Sequence, residues 1–163
     1  MATTMSKQQA ETLLNEYKTR LYAAAEEAIA AYDKKLQSEL AAQEADNLRK
    51  QQEQREEARK QYSANAVKAL TEKRRVKEQL ARRGLSRSGT ANAALAAVAE
   101  NKRQADANTT AAKAKAVGEL REKLTTARSK AEQSARVNAA NTRKTVENKV
   151  AEKRLTLMKG TVN

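Results

Sequence analysis

The sequence predicts an all-α chain of two long helical arms joined at a basic turn, and three observations predict it. The 163 residues contain no proline and only four glycines, so little interrupts a helix. The strong helix formers Ala, Lys, Glu, Arg, Gln and Leu dominate the composition. Two of the four glycines fall close together near the middle of the chain, in Gly84-Leu85-Ser86-Arg87-Ser88-Gly89, which makes that segment the one clear break.

The break carries its own chemistry. Gly84 follows Arg82 and Arg83, and Leu85 follows Gly84. A glycine at this position adopts the left-handed backbone without a Cβ penalty, the arginines complement the negative helix end, and the next apolar residue folds back on the last turn. Ser86, Ser88 or Thr90 can then accept a hydrogen bond from the free N–H groups that open the next helix. The expected organisation is a first arm over 1–83, a turn over 84–90 with Gly84, Ser86, Ser88 and Gly89 as its key residues, and a second arm over 91–163. Each arm would extend about 110 Å if unbroken. Hairpin and extended, bent arrangements use the same residues, and the sequence alone does not choose between them.

In the first arm, Ser6 followed by Gln9 forms a capping-box pattern that starts a helix near Lys7. Leu14, Tyr17, Leu21, Ala24 and Ala28 step by three or four, and Leu13, Ala25, Ile29, Tyr32, Leu36 and Leu40 widen the face into an amphipathic stripe. A partner-helix face explains these residues more economically than a ligand-stacking surface of Tyr17, Tyr22 and Tyr32. From Glu44 to Gln61 the apolar stripe nearly vanishes, with Leu48 its one large apolar residue. Alternating charges can keep such a segment helical through i,i+4 pairs, as a solvated spacer or a bend. Tyr62, Ala66, Ala69, Val76 and Leu80 resume the stripe, with Lys73 at an intermediate seam position.

In the second arm, Leu95, Val98, Lys102, Ala105, Thr109, Ala112 and Ala116 follow a strict three-four spacing built mostly of small residues. Gly118 interrupts it. Beyond, Leu120, Leu124, Ala127, Ala131, Ala135, Ala139, Thr142, Val146, Val150, Lys153 and Leu157 advance by about 3.7 residues per step, a period that favours straight or slightly right-handed packing. Lys159-Gly160 reads as a helix end, with 161–163 as a tail.

Composition excludes several function classes. Leu, Ile, Val and Phe total 23 residues, and there is no Phe or Trp, so a broad globular core cannot be filled. Helices this thin need neighbours, which predicts oligomerisation or docking and a weakly stable free monomer. The chain lacks cysteine and histidine, which removes disulfides, the usual metal-ligand sets and the usual catalytic base. No cofactor, metal or catalytic residue is expected. Gly84 and Gly89 lack the continuation of a phosphate loop. Ser86 and Ser88 have no histidine to activate them. Glu26 with Glu27, and Glu56 with Glu57, read as exposed helix positions with nothing beside them to shift a pKa. No apolar run approaches a membrane span, and 1–9 lacks the pattern of a secretion signal.

The formal net charge is +13, and it is unevenly placed: residues 1–61 carry −1, residues 62–90 carry +6 and residues 91–163 carry +8. Arg74, Arg75, Lys77, Arg82, Arg83 and Arg87 crowd around the turn. Such a tip suits nonspecific contact with the phosphates of DNA or RNA, an acidic protein surface such as the wall of a ring, or plain solvation. The absence of aromatics from 63–163 argues against a dedicated single-strand reader.

The string Leu80-Ala81-Arg82-Arg83-Gly84-Leu85-Ser86-Arg87-Ser88-Gly89-Thr90, with the Ala-rich run through Leu95, resembles a pattern found in small helical virion proteins of tailed bacteriophages, of the minor structural, internal or ejection type. Elsewhere the likeness is compositional. The resemblance implies residence in the virion, after synthesis in the host cytoplasm, in a symmetric assembly around the portal, tail or capsid interior. It also implies contact with other virion proteins and with the genome or its channel. On this expectation Leu13, Leu14, Tyr17, Leu21, Ile29, Leu36, Leu40, Leu95, Val98, Leu120 and Leu124 pack helix against helix, and the basic tip faces DNA or an acidic ring. The alternative is a free, sequence-nonspecific DNA-binding protein that coats duplexes electrostatically.

Overall fold

A computed structural model of the chain describes residues 5–159. It contains two α-helices: α1 spans Lys7–Arg82 and α2 spans Gly89–Lys159, 76 and 71 residues long. The start of α1 is fixed by a reciprocal capping box. Ser6 Oγ accepts from the Gln9 N–H at 3.2 Å, and Gln9 Oε1 accepts from the Ser6 N–H at 3.1 Å. The terminal tail expected from Gly160 onward lies outside the described residues.

The chain leaves α1 through Gly84, whose φ of +67° lies in the left-handed region. The Leu85 N–H reaches back to the Leu80 carbonyl at 2.9 Å, and the Gly84 N–H reaches the Ala81 carbonyl at 3.0 Å. These two bonds satisfy carbonyls that the end of a helix leaves open. α2 then opens on Ser88, whose Oγ accepts from the Ala91 N–H at 3.2 Å while donating to the Leu85 carbonyl at 2.8 Å. Of the three candidate caps, Ser88 takes the role. Gly89 and Thr90 are consequently the first residues of α2, not part of the turn, and the second helix starts two residues before the expected position 91.

The chain divides into two compact units. One joins 1–43 to 125–163, and the other is Glu44–Leu124. In the first unit the early part of α1 runs antiparallel to the late part of α2. Ala25, Val146 and Val150 form its buried centre, with Leu14 and Leu21 packed against them. Ala10, Ile29 and Leu157 are also buried, and Leu36 and Leu40 are half-buried. Arg143 reaches Glu26 at 3.2 Å, and the Lys153 ammonium lies 5.7 Å from the centre of the Tyr17 ring. Glu26, expected to stand alone on its helix face, therefore has a cationic neighbour. Leu13 remains 46% exposed, and Ala24 and Ala28 face outward, because the buried face advances through Leu21, Ala25 and Ile29 in steps of four.

The second unit is a helical hairpin closed by the Gly84 turn. Asn47 meets Leu120, Tyr62 meets Thr110 and Asn65 meets Asp106, which fixes an antiparallel course. Ala58, Ala91 and Val98 are buried, and Val76, Leu80, Leu95, Leu120 and Leu124 are half-buried. Both units thus pair the two arms of one chain with each other, so the extended alternative, in which each arm pairs only with a neighbouring subunit, does not describe this fold. The 44–61 stretch stays helical, as alternating charges allow, but it is not a fully solvated spacer. It is continuous α-helix, and its seam is carried by Asn47, Gln51, Gln54 and Ala58 in place of large apolar residues. Leu48, the large apolar residue of that stretch, is 61% exposed. Glu72 and Lys113 occupy the inward positions expected for Lys73 and Ala112, which point outward.

Two consequences are measurable. Ile29→Ala removes buried methylenes at a position where the neighbouring helix can only partly collapse, and should lower thermal stability by about 2 kcal/mol. Leu48→Ala should change it by less than about 0.5 kcal/mol. Denaturant unfolding followed by circular dichroism separates them. At the glycines the sign should reverse between sites: Gly84→Ala forces a side chain into the left-handed region and costs about 1 kcal/mol. Gly118→Ala, helical with open space where its Cβ would stand, should stabilise by up to about 1 kcal/mol.

Candidate functional site

The six basic residues singled out in the sequence sit where one connection brings them together. Arg74, Arg75, Lys77 and Arg82 lie on the last turns of α1, and Arg83 and Arg87 lie in the link to α2. All six are exposed. Among the described residues none of them takes part in an ion pair. Their charges are therefore available to a polyanion or an acidic surface.

Elsewhere in the second unit several bases are already engaged. Lys50 and Arg49 each approach Asp46 at 2.6 Å, and Arg103 forms a two-pronged pair with Glu100 at 2.8 and 2.9 Å. The Lys50 and Arg49 hydrogen bonds hold the Asp46 carboxyl below its ordinary range. The Arg103 bonds do the same for Glu100, and in return Glu100 raises the Arg103 guanidinium. These are local, exposed pairs within one helix, worth little to the fold.

A third acid is different because it joins the two helices. Asp106 on α2 accepts from Lys102 one turn earlier and, at 3.0 Å, from the Asn65 amide on α1. Lys102 first, then Asn65, lowers the Asp106 pKa. Asn65 is buried at 9% exposure, and its own carbonyl accepts from Gln61 at 3.3 Å. Farther along the hairpin, buried Asn47 donates to the Leu120 carbonyl at 2.6 Å and accepts from Gln51 at 2.7 Å. Tyr62 and Thr110 share a hydroxyl hydrogen bond of 2.7 Å across the seam. A reading based on apolar periodicity passes over Asn47 and Asn65. The signal that could have found them is their continuation of the three-four spacing after Leu36 and Leu40.

Two grooves run beside this seam, and their chemistry differs. One, of about 620 Å3, is lined by Arg55, Arg59, Lys113 and Arg121 around a floor of Ala58, Ala114, Val117 and Gly118. No carboxylate lines it. The other, of about 430 Å3, is lined mainly by Gln54, Gln61, Asn65, Asn108 and Thr109, with Lys113 as its one charged residue. The sequence reading selected none of the four bases of the first groove, because they lie on separate helices 54 or more residues from their counterparts and only the hairpin register brings them together.

Among the described residues no cluster of acids, histidines or cysteines could hold a metal ion. No helix of the described residues is long and apolar enough to cross a membrane. No family model, no curated protein and no solved structure matches the chain.

The Asp106 link makes the hairpin sensitive to acid. With a lowered pKa the folded state binds this proton less readily than the unfolded chain, so the stabilisation is present above the ordinary aspartate range and is lost as pH falls through the folded value. Unfolding midpoints should therefore drop as pH falls below about 4. Asp106→Asn should show a shallower drop in that window and lower stability at neutral pH, measured by urea unfolding at a series of pH values.

Proposed function

We propose that this chain is a non-enzymatic structural protein that acts as an assembled helical component of a bacteriophage particle, near the portal, tail or capsid interior and within reach of the genome. The observation that supports assembly most directly is the thinness of the seam. Among the described residues no large side chain is fully enclosed along two helices of 76 and 71 residues. Amphipathic helices draw most of their stability from packing, and a pair that buries mostly alanine and valine leaves much of that to neighbours. Leu48, Val67, Leu70, Val137 and Leu155 are each more than half exposed, and Val67 and Leu70 lie one turn apart on the same side of α1. The placement in a phage particle is supported by the resemblance at Leu80–Leu95.

A second reading, sequence-nonspecific DNA contact, is favoured by one observation of its own: the six exposed, unpaired bases of the tip. Salt separates the two. Phosphate contacts weaken steeply as counterions compete, whereas apolar contacts between subunits persist.

Light scattering coupled to size-exclusion chromatography, at low salt and at about 0.5 M salt, with and without duplex DNA, tests the assembly. The expected result is a defined oligomer that survives high salt. Val67→Glu with Leu70→Glu should dissociate it while leaving the helical circular dichroism in place. A monomer at all salt concentrations that joins duplex only at low salt would overturn assembly in favour of electrostatic coating.

A further inference from the structure

We infer that the basic groove of the hairpin, walled by Arg55 and Arg59 on α1 and by Lys113 and Arg121 on α2, is a binding site for the phosphate backbone of nucleic acid. This deepens the reading of DNA contact by giving it a built site away from the tip. The first support is the composition of the lining: four cations, Tyr62, Thr110 and small residues, with no acid.

The second support is shape. The floor of Ala58, Ala114, Val117 and Gly118 offers no large apolar anchor, which protein–protein hot spots usually require. It does allow a strand edge to approach between long cationic side chains. Guanidinium groups match phosphate oxygens with paired N–H donors, and three of the four bases are arginines. The Tyr62–Thr110 hydrogen bond of 2.7 Å ties the two walls together, so the bases are presented on a fixed frame.

The third support is periodicity. Arg55 and Arg59 are one turn apart, about 6 Å along the helix, which is within two nucleotide steps of one strand. Lys73 and Lys77 repeat that pair eighteen residues later, and eighteen residues are five helical turns, so both pairs share one side of α1. The repeat places cations again after about 27 Å, or about eight base-pair steps. Lys73 and Lys77 are exposed. Cations therefore stand on this side of α1 at two levels of the hairpin, with the neutral Tyr62, Ala66 and Leu70 between them.

The test uses the full chain, a fluorescently labelled 20-base-pair duplex and anisotropy titrations over a salt series. In one variant Arg55→Gln, Arg59→Gln and Lys113→Gln remove three groove charges. In the control Lys60→Gln, Lys68→Gln and Lys115→Gln remove three charges from other faces of the same unit. Glutamine keeps helix propensity, and far-ultraviolet circular dichroism verifies that both variants fold. The groove variant should lose at least tenfold in affinity at about 0.1 M salt, with a salt slope shallower by about 2.7. The control should lose less than threefold. Equal losses in both variants would overturn the groove and leave only diffuse attraction or the tip, while no binding by the wild-type chain would overturn DNA contact altogether. Unlabelled inorganic polyphosphate should displace the duplex. Displacement by poly-glutamate at equal charge concentration would overturn the phosphate assignment in favour of an acidic protein.

Discussion

A two-helix seam made almost entirely of small side chains cannot fix its own register by shape. Alanine facing alanine fits nearly as well after a slip of one turn, and the area buried changes little. In the hairpin unit that ambiguity is resolved by polar contacts. Asn65 finds Asp106 and Tyr62 finds Thr110, each a match between two particular side chains, while Asn47 anchors on the Leu120 carbonyl. A slip would part buried Asn65 from Asp106 and Tyr62 from Thr110, at a cost comparable to the whole gain from a small apolar contact. The use of buried polar groups to specify alignment at some expense in stability is known from coiled coils. The other unit relies more on size: Ile29, Val146, Val150 and Leu157 supply the bulk that the hairpin lacks.

The same register determines where charge accumulates. Arg55 and Arg59 reach Lys113 and Arg121 only because Tyr62 stands opposite Thr110. The chemistry of the groove is thus a consequence of the hydrogen bonds that align the helices, not of any contiguous motif. On the opposite side of the seam the same alignment assembles amides and a threonine. One hairpin therefore presents a cationic face and a nearly neutral one, and the difference between them is set by the order in which the two helices display their side chains.

What the sequence reveals about this chain follows from how local each feature is. The Ser6–Gln9 box, the left-handed Gly84 and the Leu85 return bond depend on residues within a few positions of each other, and all are legible from the string alone. The spacing from Leu120 to Leu157 also identifies the inward face of α2 correctly, because apolar and small residues mark every step but Lys153. Legibility fails where the seam changes chemistry. Between Glu44 and Gln61 the inward positions are mostly amides, Asn47, Gln51 and Gln54, with the small Ala58, so a search for large apolar residues reports a gap where the packing continues. It fails again at Leu13, Ala24 and Ala28, where steps of four carry the buried face away from the stripe that steps of three would extend. The basic groove was not legible at all, since its walls lie on different helices.

Charge and stability are coupled in a chain of this kind. A net charge of +13 on two thin helices is self-repulsive, and the groove and the tip concentrate that repulsion. A larger core would absorb the cost. Here the seam of alanine, valine and amides gives little margin, so a polyanion that binds the folded form adds stability by mass action as well as by screening the repulsion. Neighbouring subunits would act in the same direction by covering Val67 and Leu70. Any partner that bound only the folded hairpin, a polyanion or a second subunit, would therefore add to a small margin. That margin follows from the seam itself. The small residues that let α1 and α2 approach closely are the same residues that leave the pair short of buried area.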